Sequence, residues 1–232
     1  MKIYNLFLDL IAPKKCYSCK KEGHFICQNC FDNEIDFNSV CYVCKGKTKN
    51  YEVHEICKSG IYYDKVIILK HYKSKLISKL IKDAKFYNKK NLLEEISHYL
   101  YEKFIINEKI IRLEDYMIIS TPSHFLRRLK RGYNTSDILC KHFSKLSYID
   151  YKKDVIFKTK NTRQQSKLTR KNRLLNLQDC FKINKKYIDK IVDKNIIIID
   201  DVISTGTTLN EISKILKQNK VKKIIGIIIA SD

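Results

Sequence analysis

The stretch IIIIDDVISTGTTL, residues 196–209, limits the fold more than any other part of this chain. Four consecutive isoleucines fit a strand buried on both faces, as in the centre of a parallel sheet covered by helices. That strand runs into two adjacent carboxylates, Asp200 and Asp201, and then into hydroxyls around one glycine: Ser204, Thr205, Gly206, Thr207 and Thr208. In an open parallel sheet, ligands sit at the carboxyl ends of the strands. A loop of this composition leading into a helix offers backbone N–H groups, hydroxyls and a helix N-terminus to a phosphate. Gly206 lets the backbone approach closely or take a positive φ. The two carboxylates suit the hydroxyls of a sugar attached to that phosphate, or a metal ion. A sugar 5-phosphate with free vicinal hydroxyls satisfies both halves. The bland alternative is a turn with a doubled acidic cap. The stretch is not a Walker loop, which needs G-x4-G-K-[ST] spacing.

The chain around this stretch alternates in the same way. From about residue 59, GIYYDKVII reads as a strand, SKLISKLIKDAKFY and NLLEEISHYLYEKFI as amphipathic helices, and DYMIIST as a short buried strand. NTSDILCKHFSKL reads as a helix capped by Asn134 or Thr135, and DVIFK as another strand. KKIIGIIIA is a last buried strand, separated from the isoleucine strand by the helix TLNEISKILKQN. Strands alternating with helices predict an α/β domain over residues 59–232, a parallel sheet flanked by helices.

Residues 1–58 are different. Seven of the nine cysteines lie between Cys16 and Cys57. Cys16-x2-Cys19 and Cys27-x2-Cys30 are two knuckles, each of which points two thiolates at one tetrahedral ion. Disulfides are the alternative, but C-x2-C pairs are the metal pattern and an intracellular chain rarely keeps disulfides. Cys41-x2-Cys44 followed by His54-x2-Cys57 offers a second site of three cysteines and one histidine; the alternative is a decayed site with Cys57 buried and His54 solvated. His24 is surplus beside four cysteines. A lysine-rich segment poor in aliphatics cannot fold on burial alone, so structural Zn²⁺ would supply its stability. Cys140 and Cys180 sit among apolar neighbours and read as small core residues. The N-terminal Ile3, Leu6, Phe7, Leu10 and Ile11 recur at helical spacing and predict a short amphipathic helix.

The 232 residues carry a formal charge of +21. That excess suits a polyanionic partner such as nucleic acid. Lysines spread along the whole chain are equally what an AT-rich coding sequence produces. No apolar run reaches the roughly 20 residues of a membrane span. Asn5 and Asp9 interrupt the apolar N-terminus and no small-residue cleavage site follows, so a cytoplasmic location is expected. Tyr42, Tyr51 and Tyr72, each near lysines, are candidates for stacking on bases, with plain packing as the alternative.

IIIIDDVISTGTT resembles the phosphoribosyl pyrophosphate (PRPP) motif of type I phosphoribosyltransferases at all thirteen positions. TPSHFLRRLKRGYNTSDIL and TRQQSKLTRKNRLLNLQDCF resemble stretches of the ComF family, the ComFC-like proteins of bacterial natural competence, and the cysteine knuckles complete the likeness over nearly the whole chain. Three positions depart from that family's pattern: Tyr133 stands for Phe, Thr135 for Gln, and His54 for a Cys. The resemblance implies a type I phosphoribosyltransferase-like fold behind a small zinc-ribbon module. It implies that Asp200 and Asp201 bind the ribose hydroxyls, directly or through Mg²⁺, and that Ser204, Thr205, Gly206, Thr207 and Thr208 cradle the 5-phosphate of PRPP. Thr121, Pro122 and Ser123 fall where the family binds pyrophosphate, with Arg127, Arg128 and Arg131 as charge partners. The basic stretch 158–176 falls where related enzymes close a loop over PRPP, with Arg163, Gln165 and Arg173 as its contacts and Lys85 as a further candidate. For the isolated arginines a solvated basic face is the alternative.

No residue spells out an acceptor. Three functions stay open: a PRPP-binding protein that handles incoming single-stranded DNA beside other DNA-uptake proteins, a working phosphoribosyltransferase with an unidentified base or amine acceptor, and a zinc-ribbon interaction module on a degenerate transferase fold.

Overall fold

Residues 13–87, 89–110, 112–123, 129, 132–159 and 180–232 are described by the computed structural model. Along the chain the strands are β1 (Lys65–His71), β2 (Tyr116–Ser120), β3 (Ile156–Lys158), β4 (Phe181–Ile183), β5 (Asn195–Ile203) and β6 (Lys223–Ser231). The helices are α1 (Gln28–Asp32), α2 (Lys75–Phe86), α3 (Lys90–Asn107), α4 (Thr135–Ser147), α5 (Ile188–Ile191) and α6 (Thr207–Gln218).

The isoleucine run does what its composition predicts. β5 lies inside a parallel sheet of order β1-β6-β5-β2, and Ile196 to Ile199 are all 0% exposed. Burying each such side chain stabilises the fold by about 1.5–3 kcal/mol. Alternation divides them between two cores. Ile197 and Ile199 pack with α2, α3 and α4 through Leu80, Leu93 and Phe143. Ile196 and Ile198 pack with Leu209, Ile212 and Leu216 of α6 on the other face. A Cβ on Gly226 of β6 would stand 2.9 Å from Leu209 Cδ2, so the close seating of α6 needs a glycine there. Ser74 caps α2 by accepting from the Ile77 N–H at 3.1 Å.

One strand boundary is corrected, and the strand expected in DVIFK is present but in a second sheet. The strand in GIYYDKVII begins only at Lys65, because the chain turns at Gly60 (φ +73°) and is gripped there by Asn210, which accepts from Tyr62 N–H and donates to the Gly60 carbonyl. DVIFK does not join the parallel sheet. Its residues form β3, which pairs antiparallel with β4 in a separate two-stranded sheet around residues 160–179. A short strand with Phe157 40% exposed leaves no mark in the sequence to tell the two arrangements apart. The expected N-terminal helix, Ile3 to Ile11, lies outside the described residues. Among the described residues no helix is long and apolar enough to cross a membrane.

The cysteine-bearing segment covers the β1 edge. Phe37 N–H donates to the Leu69 carbonyl, Val66 N–H to Tyr51 and Val53 N–H to Asp64, which removes the unpaired edge that an open sheet would expose. The first cysteine cluster meets the α2/α3 face through Ile26 and Phe31; the second meets the α6 face through Tyr42 and Val53.

At the end of the sheet opposite the diacid, Glu108 gathers the first residues of three strands. Lys65 donates to it at 2.8 Å, Lys223 at 2.6 Å and the Tyr116 hydroxyl at 3.1 Å. Burial opposes charge on Glu108, but Lys223 and Lys65 outweigh it and hold the carboxyl below the usual glutamate range. Its contribution is therefore present above the ordinary glutamate pKa and lost as pH falls through the lowered one. Glu108→Ala leaves Lys65, whose side chain is 2% exposed, without its counter-charge. Urea denaturation at neutral pH should show a loss of about 3–5 kcal/mol, while Lys223→Ala, at a partly exposed partner, should cost under about 1 kcal/mol.

Candidate functional site

The site is built at the carboxyl end of β5, where the sheet steps down. β2 stops opposite Ile199, and its chain turns away through Thr121, whose N–H reaches the Ile199 carbonyl at 3.3 Å. Asp200 and Asp201 therefore stand beyond the end of β2. The Ser136 hydroxyl, from the first turn of α4, donates to Asp200 Oδ1 at 3.0 Å, and the Asp201 N–H donates to the same oxygen at 2.9 Å. Burial and the neighbouring Asp201 charge push the Asp200 carboxyl up to about 7, against the pull of that N–H, Lys85 and Ser136. Asp201 pairs with Lys85, at the end of α2, at 2.8 Å.

The hydroxyl loop closes the other side. Gly206 takes φ +73° and serves as the N-cap of α6, a conformation that a β-carbon would strain. The Thr205 and Thr207 hydroxyls meet at 2.8 Å. Ser204 is exposed, Thr205 and Thr208 half-buried and Thr207 buried. A twelve-residue helix thus begins directly at the loop, with its free N–H groups and dipole end there.

Thr121, Pro122 and Ser123 follow directly on β2 at the same edge of the sheet. Asn134 does not cap α4 with its side chain; its amide instead donates to the Thr121 carbonyl at 3.0 Å and to Asp137 at 3.0 Å. Asp137 also accepts from the Ser120 hydroxyl at 2.6 Å and from Tyr151 at 3.0 Å. Among the described residues the buried Ser123 hydroxyl has no hydrogen-bond partner. The departures from the family pattern have local consequences. Tyr133 uses its extra hydroxyl to donate to the Ala84 carbonyl of α2, beside Lys85. Thr135, in the place of Gln, is buried at the start of α4. Arg127, Arg128, Arg131, Arg163, Gln165 and Arg173 lie outside the described residues.

Both cysteine clusters have the geometry of a metal site. Cys16, Cys19, Cys27 and Cys30 bring their sulfurs within 4.8 Å of one another, and Cys41, Cys44, His54 and Cys57 do the same with three sulfurs and a ring nitrogen. A tetrahedral zinc with bonds of ~2.3 Å separates its sulfurs by about 3.8 Å; Cys19 and Cys27 Sγ are 3.7 Å apart. In each cluster the leading thiol is set up to ionise. Burial opposes the Cys16 thiolate, but the N–H groups of Cys27, Cys19 and Ser18 outweigh it and bring the thiol down to about 6. Burial likewise opposes Cys41, and the N–H groups of Cys44, His54 and Val43 bring it down to about 7. His54 fits as the fourth ligand. Its Nε2 is 2.9 Å from the Lys47 carbonyl, which can only accept, so Nε2 carries the proton. That leaves the Nδ1 lone pair facing Cys44 Sγ, 3.3 Å away. His24 is no member of either cluster.

Cys140 and Cys180 are buried as expected. Tyr42 and Tyr51 are 5% and 4% exposed, so they are packed and not available for stacking on bases, and Tyr72 packs partly buried on the core. Two site residues carry no signal in the sequence: Ser136, which touches Asp200, and Tyr42, whose hydroxyl reaches the Ser204 carbonyl at 3.0 Å.

A diacid at a parallel-strand end, followed by a hydroxyl loop on a helix N-terminus, is an arrangement whose donors and acceptors suit a phosphorylated sugar. Residues 129–232 match the family of phosphoribosyl transferase domains. Over 217 residues the chain is 29% identical to competence protein F of Haemophilus influenzae, covering 90% of this chain and 93% of that protein. It is 26% identical over 220 residues to the DNA utilization protein YhgH of Escherichia coli K12, with the same coverage of each chain. The hypoxanthine phosphoribosyl transferase of Trypanosoma cruzi superposes on 67% of this chain, and this chain covers 66% of it, at 10% identity and a TM-score of 0.36. The chain thus joins a phosphoribosyl transferase domain to preceding paired cysteine clusters, and over 90% of its length it is similar to proteins named competence protein F and DNA utilization protein YhgH.

Protein purified without chelator should carry two zinc ions per chain by metal analysis. His54→Ala should leave one, and Cys16→Ser with Cys19→Ser should remove the other and lower Tm. Less than half an equivalent in the wild type overturns the assignment of these clusters to metal.

Proposed function

We propose that this chain binds PRPP at the Asp200/Asp201 edge and handles incoming single-stranded DNA in the cytoplasm, alongside other DNA-uptake proteins. The observation that carries the reading is the diacid at the end of β5 set beside the loop 204–208 at the head of α6. Asp200 and Asp201 accept from the 2- and 3-hydroxyls of the ribose, directly or through Mg²⁺. Ser204, Thr205, Gly206, Thr207 and Thr208 take the 5-phosphate through N–H groups and hydroxyls. Thr121, Pro122 and Ser123 receive the pyrophosphate, with Arg127, Arg131, Arg163, Gln165 and Arg173 as charged and polar partners drawn from the sequence. Mg²⁺ would supply charge neutralisation for the pyrophosphate and hold it in register. The names of the relatives, competence protein F and DNA utilization protein YhgH, support a place in DNA uptake.

A second reading, a working phosphoribosyltransferase, is favoured by the intact diacid and hydroxyl loop. Bound PRPP sits with C1 beside the carboxylates, where positive charge develops as pyrophosphate leaves. Assays for transfer to candidate bases and for PRPP hydrolysis separate binding alone from turnover.

Replacing Asp200 and Asp201 together with Asn preserves shape and removes charge. Charge-assisted hydrogen bonds contribute roughly 1.5–3 kcal/mol each, so PRPP affinity by calorimetry with Mg²⁺ should fall at least about tenfold. Unchanged affinity means that the site is elsewhere. For DNA, binding of single-stranded oligonucleotides should fall steeply with salt, by a slope of about 0.7 per phosphate neutralised. Competition at ~0.15 M salt should favour single over double strands; equal competition and no residual binding would leave the +21 charge without a nucleic-acid role.

A further inference from the structure

The second cysteine cluster is built into the floor of the loop 204–208. Tyr42 lies inside the Cys41-x2-Cys44 knuckle, so whatever fixes those two sulfurs fixes its backbone. Its ring is 5% exposed and lies against the loop: a Cβ added to Gly206 would meet Tyr42 Cε1 at 3.4 Å and the Tyr63 hydroxyl at 3.3 Å. The Tyr42 hydroxyl is 3.0 Å from the Ser204 carbonyl and 3.0 Å from Ser231 Oγ. A carbonyl only accepts, so the phenolic proton goes to Ser204, and Ser231 donates to Tyr42.

This bond orients the loop. In a trans peptide the C=O and the following N–H point in opposite directions. Holding the Ser204 carbonyl down onto the knuckle turns the Thr205 N–H up, away from the protein floor and toward the side on which an anion would sit. The Gly206 φ of +73° continues the chain into α6 from that position.

We propose that Tyr42 is a positioning residue for the phosphate loop, through which metal at the second cluster and ligand at the loop stabilise one another. The proposal rests on the reading that residues 204–208 bind the 5-phosphate of PRPP. It goes beyond that reading because it gives the second cluster a task besides holding its own segment folded. Linkage makes the effect reciprocal: if the metal-held knuckle favours the phosphate-binding loop, bound phosphate must tighten metal binding at that cluster by the same factor, a tightening expected to appear as slower metal release.

The experiment uses the full chain with its metal. Zinc release to a chromogenic chelator is followed with and without saturating PRPP and Mg²⁺, and the phase that His54→Ala lacks identifies the second cluster. PRPP should slow that phase several-fold and leave the first cluster's phase unchanged. Tyr42→Phe keeps the buried ring and loses only the hydroxyl. It should hold the same zinc, bind PRPP about three- to tenfold more weakly, as the loss of one hydrogen bond predicts, and lose the protection. Release rates indifferent to PRPP, or a Tyr42→Phe protein that binds PRPP as the wild type does, overturn the proposal while the PRPP reading stands. A wild type that does not bind PRPP overturns both.

Discussion

Burial of β5 on both faces is the constraint on which the rest of the molecule depends. Four isoleucines at 0% exposure pin the strand between β6 and β2 and between two helical layers. A strand held so firmly has no freedom of register, because a slip of one residue would turn every isoleucine to the other face. Its carboxyl end is therefore a fixed platform, and Asp200 and Asp201 sit on it. Burial there, with the Asp201 charge beside it, raises Asp200 to about 7. Glu108 does the corresponding task at the opposite end, where it ties the starts of β1, β2 and β6 together.

The cysteine-bearing segment is attached to this platform more closely than a linked module would be. It pairs with β1 as an added edge and sends its two clusters to opposite faces of the sheet. Lysines enter this contact as structural residues. Lys70, whose side chain is 3% exposed, pairs with Asp36 at 2.6 Å and lies over the Phe31 ring; Lys103 reaches the same aspartate at 3.0 Å. Part of the positive charge is thus used to fasten the two regions together.

What the sequence reveals follows from the range of each interaction. The isoleucine run, the diacid, the hydroxyl loop and the C-x2-C knuckles are local patterns, and the helices over residues 75–86, 90–107, 135–147 and 207–218 follow from the 3.6-residue period. The His54 spacing is legible too, but the tautomer that makes it a ligand depends on the Lys47 carbonyl and shows only in three dimensions. Ser136 reaches Asp200 across 64 residues and Tyr42 reaches Ser204 across 162. Contacts of that separation leave no periodicity in a single chain. Tyr42 and Tyr51 look like surface aromatics beside lysines, yet both are packed inside, because β1 and its neighbours supply an apolar surface that the segment alone lacks. DVIFK reads as one more strand of the alternation, and only its antiparallel partner β4 shows where it belongs.

The electrostatics of the diacid bear on what a ligand must do there. Lys85 pairs with Asp201 at 2.8 Å, while the bonds Asp200 takes from Ser136 and a backbone N–H do not offset its burial and the Asp201 charge. The Lys85 and Asp201 side chains are 21% and 13% exposed, so their pairing is neither fully screened nor fully dry. Ribose hydroxyls alone donate hydrogen bonds and bring no positive charge. They can bond to Asp201 while Lys85 stays. Asp200 and Asp201 would hold a divalent cation if one bound here, and its charge would favour the ionised form of Asp200. Lys85 stands at the end of α2, which Tyr133 anchors through the Ala84 carbonyl to the segment leading into α4, the same segment whose Asn134 holds Thr121. The lysine that pairs with Asp201 is thereby fastened to the stretch Thr121, Pro122 and Ser123, so the charge at one side of the site and the shape of the other are not independent.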